Sequence, residues 1–310
     1  MKKRIIIAGA TASGKSSLAV LLAERIGGEI VSVDSRQCYK LLDIGTAKPT
    51  QAELARVPHH NVSILDLREK DSAAAFLKRT EKYTAEIESR DNRVIFCGGS
   101  TLHLQSLIHP LDDIPSSNPD NIRLLNRRAD DEGVETLYRE LRQCDPEYAQ
   151  SMDGMNRQRI IRALDVWMQT NTPFSSFHTN RKVTLPKEYC FFGLHHPRKE
   201  LHKRIEQRTD NMINQGLVDE TREILNRGYS PNIQSLQTVG YKQAIQYLKD
   251  EISHEQMVKD IKTATRRYAK RQLTWLRRWN FIDWIDMQSN IMENAVGYIE
   301  QQVAADAQKG

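Results

Sequence analysis

Cysteine is scarce in this 310-residue chain: Cys38, Cys97, Cys144 and Cys190 are the only four. They lie too far apart for any Cys-x-x-Cys pair, which excludes a thioredoxin-type motif and a cysteine-rich zinc site. Long apolar runs are missing as well. No stretch approaches the roughly 18 apolar residues of a spanning helix. The opening Met1-Lys2-Lys3-Arg4-Ile5-Ile6-Ile7 breaks at Gly9-Ala10-Thr11 and reaches Lys15, so it reads as a first strand and not as a signal sequence. Cytoplasmic location in a reducing compartment is the expectation. Charge of one sign is not in large excess either: 45 Lys and Arg against 40 Asp and Glu give +5. A polyanionic partner is therefore indicated only where the surplus is concentrated. With 39% hydrophobic and 27% charged residues, the chain has the apolar content of a globular protein.

The N-terminal third alternates short apolar runs (residues 5–8, 29–33 and 94–97) with helical patterns (17–26 and 72–89). Such alternation predicts an α/β fold, a doubly wound parallel sheet with crossover helices. From Pro110 onward the texture changes, and residues 121–141 and 156–169 read as helices with no strand between them. We therefore expect a P-loop α/β core in 1–112, a mainly helical insertion domain in 113–192, and completion of the core with basic C-terminal helices in 193–310. A strand at 189–194 is predicted, followed by helices at 197–215, 218–227, 241–248 and 254–279.

Gly9-Ala10-Thr11-Ala12-Ser13-Gly14-Lys15-Ser16 matches Gly-x4-Gly-Lys-Ser after a strand and at the start of a helix. In that context backbone N–H groups and the helix N-terminus wrap an anion, Lys15 adds charge and Ser16 can hold Mg²⁺. P-loop hydrolases usually carry an acid on another strand to organise metal and water. Here the run 93–97 ends in Gly98-Gly99-Ser100-Thr101, a second candidate anion cradle, whereas the run 30–33 ends in Asp34-Ser35-Arg36-Gln37. Carboxyl ends of strands in an open α/β sheet face one crevice, so Asp34, Ser100 and the phosphate loop should share it. Asp34 can bind metal or accept a proton, or serve only as a cap at the end of its strand.

Arg208 falls on the apolar helical face of Leu201, Ile205 and Met212. Its guanidinium must meet an anion there, a pyrophosphate being a natural partner; the alternatives are a salt bridge to a core carboxylate or a side chain that snorkels to water. Between Lys262 and Arg278 lie seven basic residues, Arg266, Arg267, Lys270 and Arg271 among them, and no acid. A solvated helix face usually mixes signs, so contact with a nucleic-acid backbone is the stronger reading. Arg123 and the set Arg157, Arg159 and Arg162 put a second basic region in the insertion.

Taken together, the sequence resembles the bacterial-type tRNA dimethylallyltransferases, also called tRNA isopentenylpyrophosphate transferases. The resemblance is carried by residues 9–16, Asp34-Ser35-Arg36-Gln37 with Tyr39, Asp43-Ile44-Gly45-Thr46-Ala47-Lys48-Pro49, Pro58-His59-His60 and Gly98-Gly99-Ser100. It continues in Gln158-Arg159-Ile160-Ile161-Arg162-Ala163-Leu164, Gly240-Tyr241-Lys242 and Ala269-Lys270-Arg271-Gln272-Leu273-Thr274-Trp275. It implies transfer of a dimethylallyl group from dimethylallyl diphosphate to N6 of adenosine 37 beside the tRNA anticodon, with Mg²⁺ held at Ser16. It further implies that Gly9 through Ser16, Ser100 and Arg208 bind the diphosphate, and that Asp34, with Lys15 and Arg208, carries catalysis. Residues 34–37, Ser100, Thr101, Arg123, Gln158, Arg159, Ile160, Ile161 and Arg162 are implied to meet the tRNA anticodon stem-loop, gripped by the insertion. Where the family carries Gly-Gly-Thr-Gly-Leu-Tyr, this chain has Gly98-Gly99-Ser100-Thr101-Leu102-His103. A monomer is expected, with no membrane partner. The rival readings are an ATP-using small-molecule or nucleotide kinase, which leaves the basic helix without a task, and a non-catalytic RNA-binding P-loop protein, which leaves Asp34 idle.

Overall fold

The computed structural model describes residues 2–178, 182–287 and 292–307. It divides into two compact units, one of Met1–His109 with Val183–Gly310, the other of Pro110–Lys182. The strands of the first unit are β1 (Arg4–Gly9), β2 (Gly28–Val33), β3 (His59–His60), β4 (Arg93–Gly98), β5 (Tyr189–His195) and β6 (Asp283–Asp286). They form one sheet in the order β3-β2-β4-β1-β5-β6, and every neighbouring pair is parallel.

Ile5, Ile6 and Ile7 are all fully buried, the mark of a parallel strand covered on both faces. Side chains alternate across the sheet. Ile5 and Ile7 join Leu18 and Leu22 of α1 (Lys15–Ile26) on one face. Past the short α2 (Gln51–Arg56), the other face packs Ile6 and Ala8 with Phe76 and Ile87 of α3 (Ala73–Ser89) and Leu104 of α4 (Thr101–Ile108).

The second unit is helical: α5 (Pro119–Asp131), α6 (Val134–Cys144), α7 (Pro146–Ser151) and α8 (Arg157–Thr170). The single helix expected over 121–141 is two, because Gly133 adopts φ 85° between them, a conformation closed to the interior of a helix. The insertion expected at 113–192 also needs correcting. Its far boundary cuts through β5, whose pairing with β1 belongs to the first unit.

The chain returns through α9 (Arg198–Asn214), α10 (Leu217–Asn226), α11 (Tyr241–Leu248) and α12 (His254–Leu276), and continues after β6 with α13 (Met292–Ala307). Neither β6 nor α13 was foreseen from the sequence. Ile299 and Val303 of α13 pack on the α1 face of the sheet. No helix among the described residues is long and apolar enough to cross a membrane.

Candidate active site at the ends of three parallel strands

The chain leaves β1 for β2, which lies beyond β4, and later adds β5 on the other side of β1. The strand order therefore reverses between β4 and β1, and ligands of open α/β sheets bind outside the carboxyl ends at such a point. Three adjacent strands end here: β2 delivers Asp34, β4 delivers Gly98-Gly99, and β1 delivers the phosphate loop. The fit is close. A Cβ on Gly98 would stand 2.1 Å from the Val33 carbonyl oxygen, so only glycine lets β2 and β4 finish side by side.

The loop has the shape of an anion cradle. Ala12 and Gly14 turn at φ 64° and 90°, and Lys15 Nζ donates to the Ala10 carbonyl at 2.6 Å. The Ser13 hydroxyl is buried with no partner among the described residues, as a group reserved for a ligand oxygen would be. Two helices brace the loop from outside it. Arg204 Nε of α9 donates to the Ala12 carbonyl at 2.8 Å, and Gln272 of α12 accepts from Thr11 N at 2.9 Å while donating to the Gly99 carbonyl at 2.8 Å.

Two cavities open from this point. One, of about 440 Å³, is lined by the loop from Thr11 to Ser17, by Gly98 and Gly99, and by Arg204 and Arg208. The other, of about 340 Å³, is lined by Ser35, Arg36, Arg271 and the segment from Gln237 to Gly240. Thr11, Asp34, Thr46, Arg208, Met212 and Tyr268 line both, so Asp34 stands at the junction.

Asp34 is held in a turn of its own making: Oδ1 accepts Arg36 N at 2.8 Å and Gln37 N at 3.3 Å. Arg208 makes no ion pair among the described residues; its one hydrogen bond goes to the Thr46 carbonyl at 3.4 Å. The core-carboxylate alternative thus finds no carboxylate. Loss of water depresses the Arg208 pKa and the nearby Asp34 opposes that shift. Lys15 is lowered to about 8, chiefly by loss of water and further by Arg208, against the pull of Cys97 and Asp34. Burial, and then the Asp34 charge, push the Tyr268 phenol up, so it stays protonated as a donor at the junction.

Not every expected residue reaches this cleft. Ser100 caps α4 without a side-chain hydrogen bond, and neither Ser100 nor Thr101 lines either cavity. Of the basic set on α12, Arg271 alone lines the second cavity. Arg266, Arg267 and Lys270 instead line a separate cavity of about 400 Å³ with His195, His196 and Arg277. In the helical unit Arg123, Gln158 and Arg159 are exposed. Ile160 and Ile161 are buried in the core of that unit, a correction to their expected place on an RNA face. Arg162 pairs with the fully buried Asp165 at 2.8 Å and donates to the Pro115 carbonyl, so its guanidinium is spent within its own unit.

Comparison with known proteins decides the family. The IPP transferase family model matches residues 37–279. The chain belongs to that family. It is similar to tRNA dimethylallyltransferase 1 of Citrifermentans bemidjiense, with 43% identity over 293 residues and 92% of each chain covered. Among solved structures, the full-length tRNA isopentenylpyrophosphate transferase of Bacillus halodurans matches with a TM-score of 0.72 and 33% identity, over 100% of this chain and 98% of that one. A eukaryotic dimethylallyltransferase acting on tRNA matches with a TM-score of 0.81 and 25% identity, over 98% of this chain and 80% of that one. The fold class and the family expected from the motifs are those found.

Sequence reasoning left several site residues without a role: Arg204, Tyr268, Gln272 and the segment from Gln237 to Gly240. A signal existed for two of them. Arg204 lies one helical turn before Arg208, and Gln272 falls on the same stripe of α12 as the buried Ala269 and Leu276. A neutral amide in an apolar stripe asks for a buried polar partner.

Proposed function

We propose that this chain transfers the dimethylallyl group of dimethylallyl diphosphate to N6 of adenosine 37 in tRNA, releasing diphosphate. The observation that carries the reading is the pair of cavities sharing Asp34, one lined by the phosphate loop and the other by Arg36 and Arg271. A diphosphate suits the first, since the orphan Ser13 hydroxyl, Lys15 and the unpaired Arg208 all offer donors to it. An RNA nucleotide suits the second, whose arginines meet phosphate. The adenine would leave its stack to reach Asp34.

The N6 amine is a weak nucleophile because its lone pair is delocalised into the ring. As the bond from N6 to the allylic carbon forms and the bond from that carbon to diphosphate oxygen breaks, Asp34 takes the N6 proton. Arg36 N and Gln37 N hold Oδ1 of that carboxylate, which fixes its orientation. Lys15, Arg208 and the loop amides stabilise the charge gathering on the leaving group. Mg²⁺ fits this site: the exposed Ser16 hydroxyl is an oxygen donor at the cavity wall, and an ion there would take its other ligands from phosphate and water and neutralise diphosphate charge. Arg267, Lys270, Gln158 and Arg159 serve the RNA backbone, joined by Arg123 and Arg266 when their partly exposed pairs with Asp120 and Glu206 give way to phosphate. One chain suffices, acting where unmodified tRNA is found, in the cytoplasm.

The experiment is incubation with unmodified tRNA, Mg²⁺ and labelled dimethylallyl diphosphate, with ATP as the competing donor. Label on adenosine 37 is the expected result. ATP turnover without label on RNA would give the cleft to a kinase instead.

A further inference from the structure

Asp34 sits on a turn whose two ends are tied to the same side chain, and that side chain touches neither cavity. We propose that Arg79, on α3, is a positioning residue for Asp34; the proposal rests on the reading that Asp34 takes the N6 proton. Arg79 Nη2 pairs with Asp71 at 2.9 Å, and its Nε donates to Asn61 Oδ1 at 3.1 Å. Each partner hands the constraint on. Asn61 Nδ2 donates to the Ser32 carbonyl at 2.8 Å, two residues before Asp34. On the other side, Asp71 Oδ2 accepts the Cys38 thiol at 3.6 Å, and Asp71 N donates to the Tyr39 hydroxyl at 3.2 Å, four and five residues after Asp34.

The brace is buried, which gives it stiffness. Asn61 is 1% exposed, the Asp71 side chain 6% and that of Arg79 20%. Cys38 and Tyr39 are wholly inside. A planar guanidinium serves two acceptors in fixed directions at once, so one residue couples the supports of both ends of the turn. Within the turn, Oδ1 of Asp34 is already committed to Arg36 N and Gln37 N. Gln37 ties the turn to β2 and to the following loop, accepting from Ser32 Oγ at 2.8 Å and donating to the Ala47 carbonyl at 3.0 Å. Arg79 adds the tie through Asn61 and Asp71 that orients the turn from its α3 side. Among the described residues neither the phosphate loop nor Arg208 bonds to Arg79, Asn61 or Asp71. Arg208 meets the Asp34 turn at the Thr46 carbonyl, which it shares with Gln37 Nε2, so a change at Arg79 acts on the carboxylate before it acts on donor binding.

Two variants test it. Arg79→Lys keeps the charge facing Asp71 but lacks the fork to Asn61, and Asn61→Gly removes the same link while tolerating the φ of 60° found there. The measurement is the single-turnover rate constant for label transfer, with KM for the donor and the melting temperature alongside. That rate constant does not depend on the fraction of protein folded, so a purely structural role leaves it unmoved. We expect both variants to lower it on the order of 10- to 100-fold, the usual cost of a misplaced catalytic group, with donor KM unchanged. Wild-type rate constants in both variants would overturn the role of Arg79 while leaving that of Asp34 intact. A wild-type enzyme that transfers no label would remove the reading of Asp34, and this proposal with it.

Discussion

Gln272 accepts a hydrogen bond from the backbone of Thr11 at 2.9 Å, joining α12 to a loop 261 residues earlier in the chain. With its other amide atom it holds the Gly99 carbonyl, so one side chain fixes the spacing of two strand ends. Gln272→Leu leaves both backbone groups unpaired, at a cost of about 1–3 kcal/mol for each buried group. We expect a lower melting temperature and weaker donor binding. Gln272→Glu still accepts from Thr11 but cannot donate to Gly99, and it adds negative charge beside the diphosphate, so its donor affinity should fall further than that of the leucine variant. Donor affinities equal to wild type in both would contradict this role.

Arg208 tests what an unpaired cation is for. Since it makes no ion pair among the described residues and has lost much of its water, Arg208→Met should leave the melting temperature of the ligand-free protein unchanged or raise it. Donor KM should rise on the order of 10- to 100-fold, the equivalent of one charge-assisted hydrogen bond of about 1.5–3 kcal/mol. Destabilisation with unchanged donor affinity would reverse the assignment.

The phosphate loop and the strand ends were legible because Gly-x4-Gly-Lys-Ser, Asp34 and Gly98-Gly99 each follow an apolar run, and a parallel sheet brings such ends together. Arg208 was legible from helical spacing alone. Gln272 was not: its stripe on α12 is visible in the sequence, but the partner that explains it is supplied by tertiary packing. β6 was missed because Asp283-Trp284-Ile285-Asp286 is short and bounded by acids, and its register is set by pairing with β5. Ile160 and Ile161 were read with their polar neighbours as one contacting segment, although helical geometry sends Gln158 and Arg159 outward and the isoleucines into the core.

Lys15 gives a pH signature. Its pKa of about 8 in the free protein lies below the ordinary lysine value of 10.5, so between those limits the unfolded chain binds more protons. This group therefore makes the ligand-free fold more stable as pH rises through that window. A bound diphosphate favours the charged form, so above pH 8 donor binding should take up a proton at Lys15. Calorimetry in two buffers of different ionisation enthalpy should show this uptake, and Lys15→Met should lack it. Equal uptake in wild type and variant would exclude Lys15 as the source.

The most direct test of the account is transfer by Asp34→Asn, an amide of nearly the same shape that cannot take the N6 proton. With labelled dimethylallyl diphosphate and unmodified tRNA under single-turnover conditions, it should bind both substrates as the wild type does and lose rate by a factor on the order of 10²–10⁴. An unchanged rate would contradict Asp34 as the base at the junction of the two cavities.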